Sequence, residues 1–133
     1  MPRATLDTQK AIDEAASIAD AEGLDAVTLT RVADRLGVRQ PALYRPVEGY
    51  DDLLRSLGLR GREMLADRLS TAAQGVAGPD VVRALGDAWR DVVRDAPGLY
   101  AATDRYPCAG DAELEDAVEE VVTIIGRLVG GFK

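Results

Sequence analysis

Apolar residues recur along most of this chain at intervals of three and four, the spacing that gathers them on one face of an α-helix. Ile12, Ala15, Ala16 and Ala19 form the first such stripe, with Asp7 or Thr8 placed to cap its start and Gly23 to end it in a left-handed conformation. Leu29, Val32, Ala33 and Leu36 form a second and short one, opened by Thr28 and stopped by Gly37. A third helix of about two turns is predicted from Pro41, whose missing N–H suits a first turn, to Pro46, which cannot continue it.

After the Glu48-Gly49 turn, Asp51 and Asp52 supply negative charge to the start of a long fourth helix carrying Leu53, Leu54, Leu57, Met64, Leu65 and Leu69 to about residue 73. Gly58 and Gly61 weaken it by roughly 1 kcal/mol each relative to alanine. Residues 74–79, with two glycines and a proline, are the clearest linker. A fifth helix opens at Pro79-Asp80 with Val82, Leu85, Trp89, Val92 and Val93 on one face, and Pro97-Gly98 ends it. Residues 99–105 can form a further short helix. A last helix holds Leu114, Ala117, Val118, Val121, Val122, Ile125, Leu128 and Val129, with acidic residues crowding its start.

The fold class is therefore all-α. Composition agrees: aromatic residues are 5% of the 133 and alanine, leucine and valine are abundant, which suits helices packed through small aliphatic side chains. The single cysteine, Cys108, cannot form an intramolecular disulfide, and without histidine it has no partner for a metal site or a Cys/His catalytic pair. No enzyme activity, cofactor or metal is expected; carboxylates such as Asp104, Glu113 and Glu119 have no identifiable convergent partner. Cys108 reads as an inert thiol. The N-terminus has no apolar run, so neither a signal peptide nor a membrane span is expected, and the cytoplasm is the default location.

The net charge of -7 argues against non-specific coating of nucleic acid, but its distribution is uneven. Between residues 28 and 45, Arg31, Arg35, Arg39 and Arg45 face only Asp34, a local excess of +3. Two short helices joined by the tight turn Leu36-Gly37-Val38 are a helix-turn-helix pattern, whose second helix lies in the DNA major groove. Leu43 and Val38 are expected to face the core, leaving Arg39, Gln40, Ala42, Tyr44 and Arg45 for DNA. Gln40 can pair with adenine N6 and N7, either arginine with guanine or phosphate, and Ala42 with a thymine methyl. The Tyr44 hydroxyl can reach a phosphate, although its ring could equally cap the small core beside Leu43. Thr28 and Thr30 can offer hydroxyls and backbone N–H groups to the DNA backbone.

The run EGLDAVTLTRVADRLGVRQPALYRPVEGYDDLL, from Glu22 to Leu54, resembles the N-terminal DNA-binding domain of the TetR family of transcriptional regulators. The resemblance rests on the "LGV" turn, the "QPALY" recognition segment and the aspartate-leucine start of the fourth helix. It implies a three-helix DNA-binding head over residues 1–50 and a helical ligand-binding and dimerisation body over residues 51–133. Its DNA-facing set is Thr28, Thr30, Arg39, Gln40, Pro41, Ala42, Tyr44, Arg45 and Tyr50. Pro46 and Tyr50 stand where the family usually has a histidine or similar donor and a lysine. Two phosphate contacts are thereby removed, so weaker binding with shallow salt dependence is expected.

The segment ALGDAWRDVVRDAPGLYAATDRYP is similar to the ligand-binding half of an actinobacterial-type subgroup of that family. The resemblance implies a homodimeric repressor that binds palindromic double-stranded operator DNA and is released by a small-molecule effector. Met64, Leu85, Trp89, Leu99 and Tyr100 are the candidate effector-lining residues; ordinary core packing is the competing account of each. The family's body usually continues through two more long helices that build the dimer interface, so a truncated form or another dimer surface is expected. The alternative function is a helical protein with impaired DNA binding that acts through protein–protein contacts or mixed dimers.

Overall fold

The computed structural model describes residues 2–44, 47–106 and 110–129, and among these the regular structure is entirely helical. The all-α expectation holds. Helix α1 runs Pro2–Glu22 and begins five residues before the expected cap at Asp7. Proline is well suited to a first helical position, and nothing between residues 3 and 8 interrupts the helix. Gly23, at φ 99°, ends it and leads into a 3-10 turn, Leu24–Ala26, that the apolar pattern does not announce.

Helix α2, Leu29–Leu36, is capped as its sequence requires: the Thr28 side-chain oxygen accepts from the Arg31 N–H at 3.1 Å. Gly37 takes the left-handed conformation at φ 71°, and the Val38 N–H returns to the Ala33 carbonyl at 3.0 Å. That turn leaves the Val38 side chain exposed, contrary to the inward position expected of it.

The third predicted helix is instead a 3-10 segment, Gln40–Tyr44, in which the Ala42 N–H donates to the Arg39 carbonyl at 2.9 Å. Two prolines five positions apart, Pro41 and Pro46, remove two N–H donors from a stretch too short to spare them. The tighter i→i+3 pattern survives there because it needs fewer consecutive donors.

Helix α3, Tyr50–Ala73, is the axis of the molecule, with α4, Asp80–Asp95, α5, Pro97–Arg105, and α6, Ala112–Val129, packed along it. Its N-terminal half belongs to one core. There Leu53 and Leu57 meet Ile12, Ile18, Val32 and Leu43, together with Ala96, Leu99 and Ala102 around α5. Its C-terminal half belongs to a second core, where Leu65 and Leu69 meet Val81, Leu85, Val92 and Val121. Met64 packs against both.

Gly58 and Gly61, which looked like weaknesses in α3, are where α5 crosses it. A Cβ on Gly61 would lie 2.5 Å from the Leu99 carbonyl oxygen, and one on Gly58 would lie 3.2 Å from that of Ala102. Gly98 presses as closely on the backbone of Ala19 in α1. Helix α5 is thus wedged between α1 and α3.

Two expectations about the body change. Helix α4 buries Val81, Leu85 and Val92, while Val82 and Val93, expected on that face, are exposed. On α6, Leu114, Ala117 and Val121 are buried and Val122 is 61% exposed. In both helices the predicted inward face was drawn one position too wide.

Candidate nucleic-acid interface

The 3-10 segment is fixed by one peg and one turn. Leu43 is buried to 1% exposure in the core made by α1, α2 and the start of α3. The left-handed Gly37 sets the direction in which the chain leaves α2. With Leu43 pointing in, Arg39, Pro41, Ala42 and Tyr44 lie exposed and Gln40 is half-buried. Thr28 and Thr30, at the start of α2, are exposed beside them. The Thr30 hydroxyl donates to the Gln40 side-chain oxygen at 2.8 Å, joining the two elements at the surface.

Tyr50 opens α3 and is exposed. The Asp52 carboxylate accepts from the Glu48 N–H at 3.0 Å, which holds the loop before that helix. Of the residues expected to face DNA, those from Thr28 to Tyr44 are brought together around the Gly37 turn. Arg45 lies outside the described residues, as do Pro46 and Cys108.

The basic island is smaller than the sequence suggests. Arg31 donates two hydrogen bonds to Glu22, at 2.8 and 2.7 Å, and Arg35 donates to Glu14 at 3.2 Å. The hydrogen bond from Arg31 holds the Glu22 carboxyl below the usual carboxylate range, partly opposed by desolvation. Both arginines therefore brace α2 on α1. Arg39 makes no ion pair among the described residues and is available to an external anion. Spacing along the chain could not reveal this division, because Glu14 lies 21 residues from Arg35 and Glu22 lies nine from Arg31.

The head is joined to the rest by contacts the sequence reading missed. Asp20 in α1 accepts from the N–H groups of Gly98 and Leu99, at 2.9 and 3.2 Å, and so caps α5 from outside its own sequence. One signal was present: the residue at the N-cap position, directly before Pro97, is Ala96, whose side chain has no acceptor for the helix N–H groups. At the far end of α5, buried Arg62 donates to the carbonyls of Thr103 and Tyr106, at 2.6 and 3.0 Å. Arg55 ties the start of α6 to α3 through Asp111, at 2.6 Å, and Glu113, also at 2.6 Å.

A groove of about 470 Å³ opens between α4 and α6 over Leu69, lined by Val82, Leu85, Gly86, Trp89, Arg90 and Ile125. Two expected effector residues, Leu85 and Trp89, are on its wall. Tyr100 stands behind Trp89, whose indole N–H donates to the tyrosine oxygen at 3.1 Å. Met64 is half-buried between the two cores, and Leu99 packs into the core on the α1 side. Among the described residues there is no cluster of three or more metal-ligating side chains, and no helix is long and apolar enough to cross a membrane.

No family model matches the chain. It is 32% identical over 108 residues to the uncharacterised HTH-type transcriptional regulator Rv0681 of Mycobacterium tuberculosis, covering 81% of this chain and 50% of that protein. It is 28% identical to the uncharacterised HTH-type transcriptional regulator YobS of Bacillus subtilis, over 96% of this chain and 66% of the relative. With the HTH-type transcriptional repressor DrrR1 of Streptomyces coeruleorubidus it shares 30% identity, over 93% and 45%. The chain thus spans between about half and two thirds of the length of these relatives. The crystal structure of SCO4313, named as a regulatory protein, superposes with a TM-score of 0.75 at 26% identity, covering 96% of this chain and 63% of that one. By fold and by sequence, the chain is similar to HTH-type transcriptional regulators.

Proposed function

We propose that this chain is a TetR-type transcriptional regulator that binds palindromic operator DNA and is released from it by a small molecule. The observation that carries the reading is the surface around Gly37: Thr28, Thr30, Arg39, Gln40, Ala42 and Tyr44 converge on two short elements whose apolar sides are buried. Such a surface offers hydroxyl, amide, guanidinium and methyl groups together, which matches the mix of phosphate contacts and base-edge contacts of a major-groove reader. Residues 1–50 supply this head and residues 51–133 the sensing body. The kinship with proteins named as transcriptional regulators and a repressor supports the same reading.

The effector enters the apolar groove beside Leu85 and Trp89. It can weaken DNA binding only by preferring a conformation in which the two heads of a pair no longer match half-sites about 34–36 Å apart. Helix α5, gripped by Asp20 and wedged on Gly61, and helix α3 are the mechanical links between groove and head. The test is fluorescence anisotropy with the palindromic sequences flanking the protein's own gene, at low salt. Saturable binding that exceeds binding to a scrambled duplex supports the reading, and equal affinity for both defeats it.

A further inference from the structure

The groove of about 470 Å³ between α4 and α6 differs in chemistry from one end to the other. Along α4 its wall runs from Val82 through Leu85, Gly86 and Trp89 to Arg90, over Leu69 and beside Ile125. From residue 82 to residue 90 the helical rise makes this wall about 12 Å long. Its apolar part offers no free polar group. The Trp89 indole N–H already donates to the Tyr100 oxygen at 3.1 Å, and the backbone there is engaged within the helix. A polar body laid along the wall would lose water and gain no hydrogen bond, whereas a hydrocarbon gains by the same exchange.

Charge enters at one end only. Among the described residues Arg90 is the one charged side chain on the wall, and it is 78% exposed. Its ion-pair partner among those residues is Asp87, at 4.0 Å, which lines a separate hollow on another side of α4 with Asp80 and Arg83. A pair so long and so exposed contributes little, so the guanidinium can take a carboxylate placed at the end of the groove. Val82, 56% exposed, stands at the opposite end.

We infer, resting on the reading of this groove as the ligand site, that the ligand it takes is a single-chain organic acid. The unbranched hydrocarbon tail lies along α4 toward Val82, and the carboxylate meets Arg90. A trough between two helices, longer than it is deep and charged at one end, suits such a chain.

Decanoate and decylammonium carry the same tail with opposite charges, and Trp89, the only tryptophan of the chain, reports occupancy through its emission. On a chain of net charge -7 undirected attraction favours the cation, so a preference for decanoate has to come from a placed positive group. Decanoate is expected to bind saturably and about three- to fivefold more tightly than decylammonium, the upper range for an exposed ion pair. Arg90→Glu should reverse that order. Gly86→Leu should weaken both at least about tenfold, because a side chain there meets nothing within 4 Å and grows into the groove. Circular dichroism checks that both variants keep their helices.

Equal binding of the two ligands overturns the inference, as does a preference that survives Arg90→Glu, binding indifferent to Gly86→Leu, or emission that never saturates. Operator anisotropy with the same ligands keeps the two readings apart. If decylammonium releases DNA better than decanoate and Gly86→Leu blocks the release, the effector site stands and the acid is overturned. If decanoate binds as expected and the operator is retained, the acid stands and the effector role fails.

Discussion

The Thr30 hydroxyl and the Gln40 side-chain oxygen are 2.8 Å apart, so the first turn of α2 orients the amide on the neighbouring 3-10 segment. One lone pair of that oxygen is occupied and the amide plane is fixed. The second lone pair and both amide hydrogens remain for a base edge. Gln40→Ala should therefore remove about 1–3 kcal/mol of discrimination at one operator position, the worth of a good bidentate contact. Thr30→Val should relax the same position by a smaller amount, because the amide then turns freely. Binding to duplexes varied one base at a time measures both; a Thr30→Val protein that loses discrimination elsewhere but not at the Gln40 position would contradict this.

The ion pairs of α2 separate arginines that look equivalent in sequence. Arg39→Ala should lower affinity for every duplex and reduce the log-log salt slope by about 0.9 if it contacts one phosphate. Arg35→Ala should leave the slope unchanged, since that guanidinium is directed to Glu14 and Ser17 on α1. Salt titrations of the two variants side by side make the comparison. Equal losses of slope would mean that Arg35 leaves α1 to reach DNA.

Asp111 links acid stability to the start of α6. The hydrogen bond from Arg55 holds its carboxyl below the ordinary value, with further help from the Leu114 N–H. A carboxyl whose pKa is depressed by folding stabilises the folded state above its unfolded pKa and loses that contribution as pH falls through the folded one. Asp111→Asn should therefore lower the melting temperature at pH 7, and the difference from the parent chain should shrink as the pH is taken below the ordinary carboxyl range. Thermal melts across that interval decide it; a constant difference would rule out ionisation of Asp111 as the cause.

The readable part of this fold was local. Thr28 and Gly37 announce the limits of α2 because a cap and a left-handed stop act within a few residues. Leu43 announces the peg because its neighbours are polar or small. The division of the arginines, the cap supplied by Asp20 and the exposure of Val82 and Val122 were not readable. Each depends on which helix lies alongside, and periodicity gives the width of an apolar face without saying how much of it finds a partner. The 3-10 form of the Gln40 segment lies between these cases: its prolines were visible, but their combined effect on so short a helix was underestimated.

The glycines of α3 and α6 should respond in opposite directions to the same substitution. Gly61→Ala places a methyl 2.5 Å from the Leu99 carbonyl oxygen and 2.9 Å from the Thr103 methyl, and the nearer atom is backbone that cannot turn aside. Helix α5 must then move away from α3, at a cost of about 1–3 kcal/mol or more. Gly126→Ala meets nothing within 4 Å, so the gain in helix propensity should dominate, by up to about 1 kcal/mol. Urea unfolding of both variants against the parent reads the two signs. Because Asp20 holds the other side of α5, Gly61→Ala should also disturb the head, visible as weaker operator binding at temperatures where the protein remains folded. Unaltered operator affinity in a destabilised Gly61→Ala protein would show that α5 does not carry strain from the body to the DNA-facing surface.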